Sequence, residues 1–145
     1  MENNSVRVIS IKDCSEIDVI NDAIHDCWFD VANISVDHET SVFKLIYEKE
    51  MEEQAEVIKD FYLMRKVKVP VIECYLLINN VKEYKMQDSE NVGRYDLTYI
   101  DCNESLGEIA IVTGVPISIT LKVSSTSICV EMTDKVIEHK TKFTL

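Results

Sequence analysis

Residues 25–37 read HDCWFDVANISVD, and whether they prolong a helix or open a sheet decides the fold. Upstream, SEIDVINDAIHDCWF (15–29) spaces Ile17, Ile20, Ala23, Ile24, Cys27 and Trp28 at three and four residues, which predicts the buried stripe of an amphipathic helix. Ser15, with Asp18 three positions later, resembles a capping box carrying Asp where Glu or Gln is usual. On this reading HDCW belongs to the helix, with Cys27 and Trp28 toward the core and His25 and Asp26 at the helix edge. From residue 34 onward the period changes to two, and the chain reads as strands.

The strands follow from simple alternation. VFKLIYE (42–48) puts Phe43, Leu45 and Tyr47 on one face. PISITLKV (116–123) does so with Ile117, Ile119, Leu121 and Val123, and SICVEMT (127–133) with Ile128, Val130 and Met132. VIECYLLI (71–78) is apolar on both faces, which predicts a central strand covered on both sides. VRVISI (6–11), NVKEYKM (80–86) and GEIAIVT (107–113) complete the set. Pro70 and Pro116 fit the starts of strands, where a missing N–H costs nothing. In residues 50–64 Met51, Ala55, Ile58 and Tyr62 suit a helix face, while the charged EKEMEEQAE suits a solvated loop leading into a strand near 57–64; the loop and strand are preferred. The expected architecture is a single domain over 1–145 of the α+β class, mainly β. One N-terminal helix packs on a mostly antiparallel β-sandwich or strongly curved sheet of about eight strands.

Two stretches echo each other without a gap. FDVANISVDHETSVFKL (29–45) aligns with YDLTYIDCNESLGEIAI (95–111) at an offset of 66. Phe29, Asp30, Val31, Ile34 and Asp37 match Tyr95, Asp96, Leu97, Ile100 and Asn103. Each copy reads as a β-hairpin entered through an aromatic–Asp corner, with an Asx-led turn. Because Asp30 recurs as Asp96, both are assigned to structural corners that cap backbone amides rather than to catalysis.

Charge narrows the function. Fifteen Lys and Arg stand against 26 Asp and Glu, a formal net charge of −11. Phosphate backbones and anionic membrane surfaces are disfavoured by that balance, and a basic protein partner is favoured. The five cysteines, Cys14, Cys27, Cys74, Cys102 and Cys129, are odd in number, widely spaced and without a CxxC pair, which predicts reduced intracellular thiols. MENNSVRVISIKD lacks the basic start and long apolar stretch of a secretory signal, and the longest apolar run, Cys74 to Ile78, is far below the ~20 residues of a membrane helix. A cytoplasmic protein is expected.

Catalytic constellations are thin. His25, Cys27 and Asp30 suggest base, nucleophile and orienter, but on a helix positions 25 and 27 point about 200° apart, so the thiol is read as core. His25, His38 and His139 form no close ligand pair with the cysteines, so no metal is expected, and no glycine-rich phosphate loop or GxSxG motif implies a cofactor or acyl transfer. His25 and Asp26 remain as acid–base or binding candidates, with Trp28 as a binding anchor if it is exposed.

HDCWFDVANISVD, NVKEY, RYDL and TGVP together resemble motifs of small uncharacterised bacterial β-rich proteins with an HDxWFD-like start, some of toxin-immunity type. The resemblance implies the fold and carries no catalytic residues. Three expectations follow. The first is a non-catalytic cytosolic interaction domain, such as an immunity-type inhibitor, binding a basic protein or itself. The second is a small enzyme using His25 and Asp26. The third is a carrier of a small apolar ligand between two sheets.

Overall fold

The computed structural model describes residues 7–88, 91–115 and 117–144. Pro116 lies outside them. The helix, α1, is Ile17–Ile24, entered through a 3-10 turn at Cys14–Glu16. The 3-10 turn is capped by Asp13, whose carboxylate accepts from the Ser15 N–H at 2.8 Å, rather than by Ser15 itself, and α1 has no side-chain cap of its own. Ile20, Ala23 and Ile24 face the core as their spacing predicts.

The helix does not reach Trp28. Asp26 takes φ +61°, a left-handed conformation that ends the helix and that Asp tolerates better than most residues. Its N–H donates to the Leu97 carbonyl at 2.8 Å, and Leu97 N–H donates to the Cys27 carbonyl at 2.7 Å. The chain is thus captured by a strand one turn earlier than helical spacing implies. With the period now two, Phe29 points inward and Trp28 points out, 39% exposed, so its placement in the core is corrected.

Among the described residues eleven strands follow in chain order: β1 (Arg7–Ile11), β2 (Trp28–Asp30), β3 (Ile34–Asp37), β4 (Val42–Glu50), β5 (Glu56–Asp60), β6 (Arg65–Ile78), β7 (Val81–Gln87), β8 (Arg94–Asn103), β9 (Glu108–Thr113), β10 (Ser118–Val123) and β11 (Ile128–Thr144). They exceed the expected eight: β2 and β3 have only three and four residues, too few to show a period, whereas β5 is the strand expected near 57–64. All pairs are antiparallel in one open sheet, ordered β1-β11-β6-β4-β2-β8-β9-β10-β7, with β3 on β4 and β5 on β6. The fold is mainly β with one short helix, and residues 50–64 do form a loop and a strand.

The echo is visible in the register. β2 and β8 pair as Trp28↔Asp96, Phe29↔Tyr95 and Asp30↔Arg94. Phe29 faces its own counterpart, and the flanking pairs exchange under the 66-residue offset, so a pseudo-twofold axis passes through Phe29 and Tyr95. Ile34↔Leu45, Val36↔Phe43 and Asp37↔Val42 then repeat as Ile100↔Ile111, Cys102↔Ile109 and Asn103↔Glu108. Ser41 (φ +59°) and Gly107 (φ +60°) occupy the same turn position. Each half also sends its last strand into the other, β7 onto β10 and β11 onto β6.

Residues of both halves meet in one hydrophobic cluster, from Phe43, Leu45, Leu76 and Ile78 to Leu97, Ile109, Ile119 and Leu121. The Phe43 and Tyr84 rings lie 5.6 Å apart although four strands separate β4 from β7 in the sheet, so the sheet bends around this core. β6 is central but not covered on both sides. Ile72, Cys74, Leu76 and Ile78 are buried, whereas Glu73, Tyr75 and Leu77 on the other face are half-buried, with Lys44 lying over the Tyr75 ring at 4.5 Å. Pro70 sits inside β6, not at its start. It falls where the neighbour changes from β5, last paired at Lys68, to β4, first paired at Val71, so no ladder bond is lost there.

Cys14 and Cys102 form a disulfide, which corrects the expectation of five reduced thiols. Their Cα atoms are 5.5 Å apart across 88 residues of chain, a proximity set by the docking of the turn before α1 on β8 and invisible in local spacing. Cys27 and Cys74 are free and buried, and Cys129 is free and half-buried.

Candidate functional site

α1 is seated on β8 by Asn21, whose Oδ1 accepts from Ile100 N–H at 2.7 Å and whose amide donates to the Ile100 carbonyl at 3.3 Å. That docking leaves Asp18 and Asp22 exposed on the outer side, one helical turn apart. Asp26 follows beyond the helix end, Asp22 shares a surface groove with Arg7 and Lys49, and Asp101 is exposed on β8. No ion pair engages Asp18, Asp22 or Asp101 among the described residues.

His25 and Asp26 do come together. The His25 Nδ1–H donates to the Thr98 carbonyl at 3.0 Å, since a carbonyl only accepts, and Nε2 then lies 3.3 Å from the Asp26 carboxylate. Both side chains are exposed. Two surface grooves of about 460 and 440 Å³ are lined by other residues, one by Ile111, Ile117 and Ile119, the other by Arg7, Lys49 and Met132.

Beside them, the outer face of β2 and β8 carries a compact polar seam at the pseudo-twofold axis. Arg94 pairs with Asp30 at 3.3 Å and with Glu48, and its guanidinium lies 5.8 Å from the Trp28 ring. Asp30 therefore holds a cation and makes no side-chain bond to the backbone turn that follows it. Asp96 lies over Gly114, where an added Cβ would come 2.4 Å from its carboxylate oxygen; the Gly114 N–H donates to the Asp96 carbonyl at 3.2 Å. Arg94 was not singled out by sequence reasoning. Its one trace was position, directly before the aromatic–Asp pair where the first copy has Trp28.

The two buried thiols are chemically quiet. Burial pushes Cys27 up to about 12 and Cys74 up to about 11, only partly offset by the ammonium of Lys49. Cys27 Sγ approaches the backbone carbonyls of Ala23 and His25, not the imidazole. Among the described residues no group of three or more His, Cys, Asp or Glu gathers as a metal site, and no helix is long and apolar enough to cross a membrane.

Charge is unevenly shared. β5, the start of β6 and the end of β11 form a three-stranded arm in which β6 pairs with both neighbours. Residues 56–68 and 134–144, which make up this arm, hold seven of the 15 Lys and Arg but four of the 26 Asp and Glu. The remaining body has eight cations against 22 carboxylates. Comparison with known protein families, with curated proteins and with solved structures finds no match.

Proposed function

We propose that this chain is a non-catalytic interaction domain whose acidic body takes a basic protein partner, in the manner of an immunity-type inhibitor. The observation that carries this reading is the exposed acidic ridge of Asp18 and Asp22, in no ion pair among the described residues, on a body with 22 carboxylates and eight cations. Such a surface steers a cationic partner and fixes its orientation. Trp28, exposed beside the Arg94 guanidinium, supplies an aromatic anchor.

The test is capture from the native host with the tagged full chain, in parallel with Asp18→Lys/Asp22→Lys. A stoichiometric basic protein, released by salt and lost with the double variant, supports the reading. Capture that survives both the salt and the double variant, or no basic protein at all, removes it.

A further inference from the structure

The turn joining β5 to β6 reads Phe61-Tyr62-Leu63-Met64, and all four side chains are exposed. Tyr62 is 98% and Leu63 75% exposed, the most open large apolar residues described. With Val57, Ile58 and Phe143 beside it, this end of the arm displays seven of the 17 exposed large hydrophobic residues among those described. An apolar cluster of this kind on a soluble surface marks a contact site. Cations stand immediately behind it. Lys59 lies 5.0 Å from the Phe61 ring, Arg65 pairs with Asp60 at 3.2 Å, and Lys59, Lys66 and Lys68 pair with no described carboxylate.

We infer that this hairpin tip is a docking finger for an anionic lipid surface. Two observations select that occupant. The tip side chains stand open, Tyr62 almost wholly so, and can enter a fluid interface without a preformed groove. Its composition is also layered, with aromatic and aliphatic residues at the apex and Lys and Arg one step behind, the order in which a bilayer boundary places apolar interior and anionic headgroups.

Net charge argues the other way only if it is averaged over the chain. From Met64 to Val71, where β6 first meets β4, seven residues of strand span ~23 Å at ~3.3 Å per residue. The screening length at physiological ionic strength is ~8 Å. The body carboxylates beyond that span are nearly three screening lengths behind the tip, while Glu50 and Glu52, which reach further along the arm, are paired with Lys142 opposite Val67. The repulsion of the body is thus largely screened at the tip.

The experiment is co-sedimentation of the full chain with phosphatidylserine-containing and pure phosphatidylcholine vesicles. The inference requires binding to the first and little to the second, weakened at high salt. Leu63→Asp should abolish it, and each of Lys59→Ala, Lys66→Ala and Lys68→Ala should lower partition about fivefold. Lys59, Leu63 and Lys68 are exposed and Lys66 is half-buried, and matched thermal unfolding of each variant separates lost docking from lost fold. Equal binding to both vesicle types, full binding by Leu63→Asp, or no binding overturns it. So does a concentration-dependent dimer that Leu63→Asp dissolves without any vesicle contact, since the tip would then belong to a second copy. The acidic-ridge variants leave all these outcomes unchanged, so failure here is distinct from failure of the partner reading.

Discussion

Residues 28–45 and 94–111 fold as the same strand–turn–strand unit in the same register, yet matching positions do different work. Asp30 holds Arg94, whereas its counterpart Asp96 lies over Gly114. Val36 corresponds to Cys102, which is tied to Cys14. The widest divergence is in the next connection. The second half passes from β9 to β10 in a few residues, while the first half, between β4 and β6, carries the turn at 52–54, β5 and the finger. Backbone hydrogen bonding and inward alternation are what the two copies share; loops and outward faces are free to differ because they contribute little to the core. Function is therefore sought where the copies disagree.

The comparison is broken most severely at its axis. Phe29→Ala and Tyr95→Ala each remove a nearly fully buried ring, the two rings lying 6.2 Å apart, and each should cost about 3–5 kcal/mol in urea unfolding. If the axis is energetically symmetric, the two losses agree to within about 1 kcal/mol, once the Tyr95 hydroxyl contact with Asp88 is allowed for. A loss confined to one of them would show that one half alone holds the core.

The disulfide comes next, because only the second copy has it. Reduction, or Cys14→Ala with Cys102→Val to imitate the first copy, opens an 88-residue separation and should cost about 2–4 kcal/mol. Unfolding midpoints with and without reductant measure it. No change would mean that the packing of α1 on β8 already fixes this end of the chain.

What was legible in the sequence follows the same division. Inward alternation in VFKLIYE, SITLKV and SICVEMT maps directly onto buried faces, with Ile117 just before SITLKV half-buried, since a period of two has one structural meaning. The echo was legible because shared register leaves shared residue types. HDCW was not, because a three-to-four spacing and the start of a strand both accommodate Cys27, and only the pull of Leu97 on Asp26 and Cys27 decides between them. The continuation of β11 through DKVIEHKTKFT has no clean alternation, since most of it is exposed, so its union with 65–68 was hidden. That union gathers the basic residues, and the charge segregation was hidden with it.

The shared turn gives a finer comparison. Ser41 and Gly107 both adopt left-handed φ, which costs an L-residue about 1–2 kcal/mol and glycine little. Gly107→Ala also brings a Cβ to 2.8 Å from the Val123 carbonyl oxygen, so it should destabilise by somewhat more than that. Ser41→Gly should stabilise slightly or be neutral. If both substitutions destabilise alike, the turns are not equivalent in energy despite matching dihedrals.

The smallest effect separates the turns by chemistry. In the first, Asp37 Oδ1 accepts from the Glu39 and Thr40 N–H groups at 2.9 and 3.3 Å; in the second, Asn103 Oδ1 accepts from the Leu106 N–H at 3.2 Å. The bonds from Thr40 and Glu39 hold Asp37 below the ordinary aspartate value of 3.8. A depressed carboxylate contributes stability that is present above its unfolded value and is lost as pH falls through its folded value. An amide has no such transition. On lowering the pH through and below 3.8, the amide signals of Glu39 and Thr40 should therefore move and their exchange protection fall, while Leu106 stays constant. Asp37→Asn should make the first turn as indifferent to acid as the second. If Leu106 moves together with Glu39 and Thr40, the acid response belongs to the shared sheet and not to the turn.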